Sequence, residues 1–315
     1  MPRVLLIIPI IVMLLISCEK EVQIDIPGFE EQLVVDGRIQ TGGFPIVLLS
    51  RSQNIYSSTD LSSYLASFVT DATVSVSNGS ISVPLQLYAI SDLPLESQKT
   101  VAEMLSLELN EVGFLPIQVY STADPAISGE LNKTYTLSIS HQGKSYSGET
   151  TLLPTVALDN LYWKPDPDNP EFGFCWARLS DPAGEYNAYK WEAKRIKLKD
   201  NGEPYDVIFR RGFDPYFDDE YFNGLTFEFD TRYPEKDTTY PENFRRHYKL
   251  GDSVVIRFSR LDRAVFEFFD KKDAQLESSG NPFATPVNVP SNMSGGALGV
   301  WAGISTGFDT LYCVE

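Results

Sequence analysis

The sequence is poor in the residues that most often hold zinc or carry nucleophilic catalysis. It contains two histidines, His141 and His247, and three cysteines, Cys18, Cys175 and Cys313. A structural zinc site needs about four such ligands close together, whereas these residues are scattered along the chain. The metalloprotease signature H-E-x-x-H is also absent. The composition therefore argues against zinc chemistry, and we predict no cofactor.

Basic residues are scarce as well. The chain has 26 Lys and Arg against 43 Asp and Glu, which gives a formal net charge of −17 at pH 7. Such a surface repels polyanions at long range, so nucleic acid is excluded as an expected partner.

Long apolar runs are absent except at the start of the chain. Val4 to Ile16 is apolar apart from Pro9 and follows the basic Arg3. This run is shorter than the ~20 residues of a membrane-spanning helix and fits the ~7–15 residues of a secretory signal core. We therefore predict a signal peptide over residues 1–17 and no membrane-spanning helix.

The residues after this run resemble a bacterial lipobox. Leu15-Ile16-Ser17-Cys18 places a small residue before a cysteine, the position at which such leaders are cut and the thiol is diacylglycerated. Attached acyl chains would hold the protein at a membrane. The alternative is an ordinary signal peptide with an incidental cysteine. We predict lipidation of Cys18, as the only membrane attachment, and a tether over residues 18–30.

Short alternating segments separated by turn residues predict a mostly all-β fold. Asn78-Gly79 and Gln142-Gly143 lie between such segments, and both pairs favour the positive φ of tight hairpins. The length favours two domains, which we predict as two β-sandwich-like units over residues 31–154 and 155–315. The boundary falls near Leu153-Pro154-Thr155.

Two segments have helical rather than β periodicity. Residues 94–110 place Val101, Met104 and Leu105 on one face, which predicts an inserted helix. Residues 261–278 carry an apolar stripe that includes Val265 and Phe269 and end at Ser-Ser-Gly, which predicts the longest helix. A shorter helix or a loop is expected at residues 60–68.

Five features together resemble a family of outer-membrane lipoproteins of Bacteroidota, domain of unknown function 4249. They are the lipobox with its acidic flank and the segments LVVDGRI with PIVLLSRSQ, DATVSVSNG, DDEYFNGLTFEFD and NPFATPVNVPSNMSGGALGVWAG. The first domain is also similar to the transthyretin-like sandwich, within the immunoglobulin-like architectures. The resemblance implies an anchored β protein, often found beside TonB-dependent transporters, with a charged signal after the cysteine that directs it to the cell surface. It implies no activity.

The richest candidate for a binding site is an aromatic and acidic segment in the second domain. We predict partner or ligand binding by Tyr216, Phe217, Asp218, Asp219, Tyr221 and Phe222. Tyrosine rings beside carboxylates suit sugars, and aromatic rims suit protein interfaces. Alternatively, the rings fill the core and the acids are solvated. The clustered carboxylates of residues 214–220 are also of the kind that binds calcium, but no EF-hand spacing is present, and we predict no metal.

Two further features are open to more than one interpretation. The glycine-rich Ser294 to Gly303 lacks the lysine and helix of a phosphate-binding loop, which favours close packing around Trp301. Cys175 and Cys313 lie in strand-like segments and either pair in an oxidising compartment or remain buried thiols.

These patterns favour a non-enzymatic accessory lipoprotein of the outer membrane, exposed at the cell surface and associated with a TonB-dependent transporter or envelope complex in nutrient capture. The alternative is an independent surface lipoprotein that binds glycans or peptides. A hydrolase with a carboxylate pair is a third, poorer hypothesis, because such pairs are recognised by distance rather than by spacing.

Overall fold

The computed structural model describes residues 28–54, 60–278 and 287–314. The predicted signal peptide, Cys18 and most of the predicted tether lie outside these ranges, as does part of the closing motif. Within the three ranges, no helix is both long and apolar enough to cross a bilayer.

The described chain is mostly β, as predicted. The strands in chain order are β1 (Leu33–Gln40), β2 (Ile46–Arg51), β3 (Thr73–Ser77), β4 (Ser82–Pro84), β5 (Gln86–Ala89), β6 (Gln118–Ser121), β7 (Lys133–His141), β8 (Lys144–Leu152), β9 (Asn160–Pro165), β10 (Phe172–Ser180), β11 (Ala188–Arg195), β12 (Arg210–Asp218), β13 (Thr226–Thr231), β14 (Tyr248–Lys249), β15 (Ser253–Leu261) and β16 (Leu298–Tyr312).

The helices of the described ranges are α1 (Leu61–Ala66), α2 (Leu95–Leu105), α3 (Leu109–Val112) and α4 (Arg263–Ser278), with single 3₁₀ turns at Ile90–Asp92, Pro125–Ile127 and Glu242–Phe244. α2 and α4 fall where helical periodicity predicts them, whereas the separate turn α3 extends beyond the predicted range of 94–110. α2 ends at Ser106, which adopts the left-handed conformation at φ 55°. α1 settles the alternative at residues 60–68, since the Asp60 side chain caps it by accepting from the Ser63 amide.

One eight-stranded sheet runs through the molecule, in the order β12-β11-β15-β16-β1-β2-β6-β5. Two four-stranded sheets accompany it: β4-β3-β7-β8, and β13-β10-β14 with β9 also paired to β10. The central sheet contains strands from both sides of the predicted boundary at 154/155. They meet where β16 pairs in parallel with β1, for example Trp301 with Gly37. The division into two domains remains a prediction.

Alternating side chains give the central sheet two different faces. On one face, β1 and β2 pack against the β3–β7–β8 sheet around Trp301, and β11 and β15 pack against the sheet of β10. On the other face, α2 and α3 cover β2 and β6, while α4 packs against residues of β16, β15, β11 and β12. The result is sandwich-like packing on one side and a helical layer on the other.

Glycines make the parallel pairing of β1 and β16 possible. A Cβ on Gly299, whose φ is +98°, would overlap the Val35 carbonyl oxygen, and a Cβ on Gly37 would lie 2.7 Å from Cε3 of Trp301. The Trp301 ring is fully buried and its Nε1 donates to the Tyr135 carbonyl at 2.9 Å. The described part of the glycine-rich segment therefore serves close packing, as predicted.

Both predicted hairpin turns are present. Gln142 and Gly143 have φ of 49° and 76° and join β7 to β8, and Gly79, at φ 85°, lies in the turn between β3 and β4. The two-residue turn at Gln142 and Gly143 has the positive φ at both positions that such hairpins require, whereas the turn between β3 and β4 spans residues 78–81 and has positive φ at Gly79 but not at Asn78.

Candidate functional site

The helix-facing side of the central sheet carries buried charge between its two helical patches. On β11, Tyr189 and Trp191 face the sandwich core, so the intervening Lys190 and Glu192 face the helices. On β15 the same alternation turns Arg257 to the helical side, opposite Glu192 in the register. All three charged residues are at most 6 % exposed. Charges this deeply buried require partners.

Glu192 is the centre of this charged group. It accepts two hydrogen bonds of 2.7 Å from Arg257, and its Oε1 lies 2.7 Å from Nζ of Lys190. Arg257 also donates to Glu103 of α2 at 2.8 Å, which ties that helix to the sheet. The group therefore links three elements through charge-assisted bonds.

Burial and the neighbouring charges act on the pKa of Glu192 in opposite directions. Burial alone would raise the pKa of Glu192, but Arg257 and Lys190 more than offset it and hold that pKa at about 2. Burial lowers the pKa of Lys190, and Arg257 and Arg38 lower it further, while Glu192 opposes them. Glu192 is therefore held as a carboxylate.

A cavity of about 470 Å³ opens above these charges, between α2, β12 and α4. We call it the helix-side cavity. The charged and aromatic residues in its lining include Arg38, Lys190, Glu192, Tyr216, Phe269 and Lys272. A second cavity of about 460 Å³ adjoins it on the other side of Arg38 and Glu103. The volume of the helix-side cavity lies within the range of small-molecule sites.

The wall of the helix-side cavity is aromatic as well as charged. The Tyr216 and Phe269 rings stack with centroids 5.4 Å apart and an interplanar angle of 3°. The Arg38 guanidinium lies 5.4 Å from the Phe269 centroid, and Nζ of Lys190 lies 5.8 Å from that of Tyr216. Cations beside ring faces are favourable when both are shielded from water.

The predicted aromatic and acidic site is dispersed by this fold. Tyr216 and Phe217 are neighbours on β12 and point to opposite faces, Tyr216 toward α4 and Phe217 into the sandwich core with Phe222. Asp219 is buried and accepts from the side-chain amides of Asn187 and Asn223.

Two of the predicted residues remain near the surface. Asp218 accepts from the Tyr186 hydroxyl at 3.0 Å and lines an open acidic depression beside α4. Tyr221 is 86 % exposed and is the only predicted ring that is free to meet a partner directly. Partner binding by this segment remains a prediction that rests on Tyr221.

The described residues contain no group of three or more His, Cys, Asp or Glu side chains placed to hold a metal ion. Asp214 lies near Asp270 and Asp273, where burial and these two charges raise its pKa. Asp219 is engaged by the two amides described above. The carboxylates of residues 214–220 thus do not converge on one point.

Each histidine contacts a carboxylate, and the two thiols are buried and free. His141 Nε2 lies 3.0 Å from Asp71, and His247 Nε2 lies 3.2 Å from Asp166. Neither described histidine contact involves a serine, threonine or cysteine. Cys175 and Cys313 are buried free thiols, and burial raises the pKa of Cys175 to about 12. Of the two alternatives for the cysteines, the structure has the unpaired thiols.

Of the residues that line the helix-side cavity and carry its chemistry, sequence reasoning named Tyr216 and missed the charged residues. A signal was available in AYKWEAKR and VVIRFSR, where charges alternate with large apolar residues inside strands. Such alternation is also the pattern of a solvated sheet face, so it does not by itself indicate burial.

A family model described as "Domain of unknown function (DUF4249)" matches residues 19–307. No protein with a curated description matches the chain.

Proposed function

This chain belongs to the DUF4249 family, a domain of unknown function, and we propose its function from its own residues together with what the resemblance to outer-membrane lipoproteins implies. It is a non-enzymatic, lipid-anchored accessory protein of the outer membrane. It faces the cell exterior and assists nutrient capture by a TonB-dependent transporter or another envelope complex. The lipid on Cys18 holds it to the membrane, and the acidic surface makes nucleic acid an unsuitable partner.

The helix-side cavity is the observation that carries this proposal. It offers a ligand both apolar walls and buried polar groups, the combination typical of small-molecule sites. The carboxylates of Glu192 and Glu103 are already engaged, since both accept from Arg257. A carboxylate held in this way is a poor general base, so the cavity favours binding over catalysis.

An independent surface lipoprotein is the second candidate. Tyr221 supports it, because an exposed ring next to the exposed Glu220 can stack on a sugar while the carboxylate accepts from hydroxyls. In this case the protein binds its ligand without a transporter.

Affinity purification separates the two candidates. The full tagged chain, extracted in mild detergent from its native membrane, is expected to bring a β-barrel protein with it. The matched control is Cys18→Ser, which is expected to leave the membrane fraction or to accumulate as an uncleaved precursor. Purification of the wild-type chain alone, as a monomer, would contradict the docking proposal and favour the independent binder. Unchanged mass and fractionation of Cys18→Ser would contradict the anchor.

A further inference from the structure

The helix-side cavity contains hydrogen-bond donors that lack partners among the described residues. Arg38 is 7 % exposed, yet its guanidinium makes one hydrogen bond to a described residue, from Nε to the Asp36 carboxylate at 3.4 Å. Its two terminal nitrogens have no acceptor among the described residues. Buried guanidinium groups are normally bonded on both edges, so this edge is available to a ligand.

Two further donors lie beside Arg38. Tyr216 is 6 % exposed, and its hydroxyl has no hydrogen-bond partner among the described residues. Lys272 has no described carboxylate within 4.0 Å. Burial lowers the pKa of Lys272, with Arg38 and Arg211 adding to that effect and Asp36 opposing it. These interactions place Lys272 and Arg38 in the same electrostatic environment.

The cavity's carboxylates, in contrast, are mostly occupied. Glu192 is shared by Lys190 and Arg257, and Glu103 accepts from Arg257 and from the Phe209 amide at 3.1 Å. Asp273 pairs with Arg211 at 2.6 Å, and Glu235 pairs with Arg210 at 3.2 Å. Unused donors beside occupied acceptors define a site for an anion.

The surroundings restrict the anion to a single charge with an apolar body. Glu235, Glu277 and Asp273 line the same cavity and would repel a second negative charge. Met104, Ile208 and Leu276 supply apolar walls. A volume of about 470 Å³ leaves room for more than the anionic group itself.

We infer that the helix-side cavity binds a small organic carboxylate with an apolar body, whose carboxylate accepts hydrogen bonds from the terminal nitrogens of Arg38 and from the Tyr216 hydroxyl. This inference rests on the proposed ligand-binding role and names the class of ligand. The apolar chain lies against Met104, Ile208 and Leu276, and Lys272 adds favourable charge.

Titration calorimetry with three matched probes tests the inference on the full chain. Octanoate carries the carboxylate, octanamide is its uncharged match, and octyl phosphate carries a larger charge. We expect octanoate to bind at least about tenfold more tightly than octanamide, as loss of a charge-assisted hydrogen bond implies. We expect octyl phosphate to bind more weakly than octanoate.

Variants assign the effect to the named donors. Arg38→Met is expected to weaken octanoate binding about 10- to 100-fold, and Tyr216→Phe, which keeps the ring stack, about tenfold. Arg263→Gln is the matched control, since Arg263 is exposed and pairs with Glu267 away from the cavity. This control is expected to bind as the wild type does. If Arg38→Met does not fold, Tyr216→Phe and the probe series still decide.

Each contrary outcome has a distinct meaning. Equal binding of octanamide would overturn the anionic assignment while leaving a ligand-binding role intact. Tighter binding of octyl phosphate would overturn the choice of a carboxylate. No binding of any probe would overturn the inference, whereas the accessory role fails separately, through the absence of a copurifying partner.

Discussion

Arg257 and Glu192 face each other across β15 and β11 and form two hydrogen bonds of 2.7 Å beneath the helix-side cavity. Because Arg257 also reaches Glu103, this pair fixes α2 to the sheet and thereby sets one wall of the cavity. Buried ion pairs need not add net stability, since desolvation offsets their attraction, but removing one partner leaves a buried charge without compensation.

Glu192→Gln is therefore expected to destabilise the fold by about 3–5 kcal/mol, because Arg257 and Lys190 lose their shared carboxylate. Urea unfolding at pH 7 measures the free energy of unfolding. The matched control is Glu96→Gln, which removes an exposed carboxylate paired with Lys99. Surface pairs contribute little, so this control is expected to unfold as the wild type does. Equal stability of all three proteins would show that the buried pair is dispensable.

The depressed pKa of Glu192 also predicts a dependence of stability on pH. Its pKa in the folded state is about 2, below the value of an unfolded glutamate, so its contribution is complete above about pH 5. That contribution is lost as the pH falls from about 5 toward 2, and it amounts to about 3 kcal/mol. Urea unfolding of the wild type and Glu192→Gln at several pH values between 7 and 3 measures it. The difference between the two proteins should narrow toward low pH; a constant difference would contradict the shifted pKa.

Local sequence patterns predicted the local structure well. The periodicity of residues 94–110 and 261–278 corresponds to α2, which ends at Leu105, and to α4, and the turn pairs at residues 78–79 and 142–143 correspond to hairpins. Each of these signals involves residues within a few positions of one another, and the backbone satisfies them directly.

The central sheet and the helix-side cavity were not predictable in this way. β1 pairs with β16 across most of the chain length, and Arg38 reaches the cavity only because that pairing brings β1 beside the strands of the second half. The charges on β11 would be equally suitable for a solvated sheet. Whether α2 and α4 cover them depends on the long-range topology, which no local pattern contains.

Gly299→Ala tests the close approach of β1 and β16. A Cβ at Gly299 would overlap the Val35 backbone oxygen, so we expect a loss of at least about 3 kcal/mol or failure to fold. Gly296 is the matched control, since it also has a positive φ, +82°, but nothing lies within 4 Å of a Cβ there. Gly296→Ala should cost only about 1–2 kcal/mol of backbone strain. Denaturant unfolding measures both, and equal costs would contradict the packing argument.

The two buried thiols are expected to resist alkylation in the native state. Burial raises the pKa of Cys175 to about 12 and raises that of Cys313 as well, so at pH 8 the thiolate fraction of Cys175 is about one in 10⁴. In the Cys18→Ser background, mass spectrometry should find no iodoacetamide adduct on the native chain and two adducts after denaturation. No adduct after denaturation, unless a reductant is added, would instead indicate a disulfide.

Within the predicted binding segment, we expect Tyr216 to have a structural role and Tyr221 to have a role at the surface. Tyr216 is 6 % exposed and stacks on Phe269, so Tyr216→Ala is expected to destabilise the fold by about 3–5 kcal/mol, as other buried aromatic truncations do. Tyr221 is 86 % exposed, so Tyr221→Ala should leave the free energy of unfolding unchanged within about 0.5 kcal/mol. Denaturant unfolding tests this difference in stability.

Partner copurification and glycan-array binding are then measured on Tyr221→Ala, which remains folded, with the wild type as reference. A loss of either interaction would identify Tyr221 as a contact of the surface segment, and retention of both would leave the helix-side cavity as the binding site.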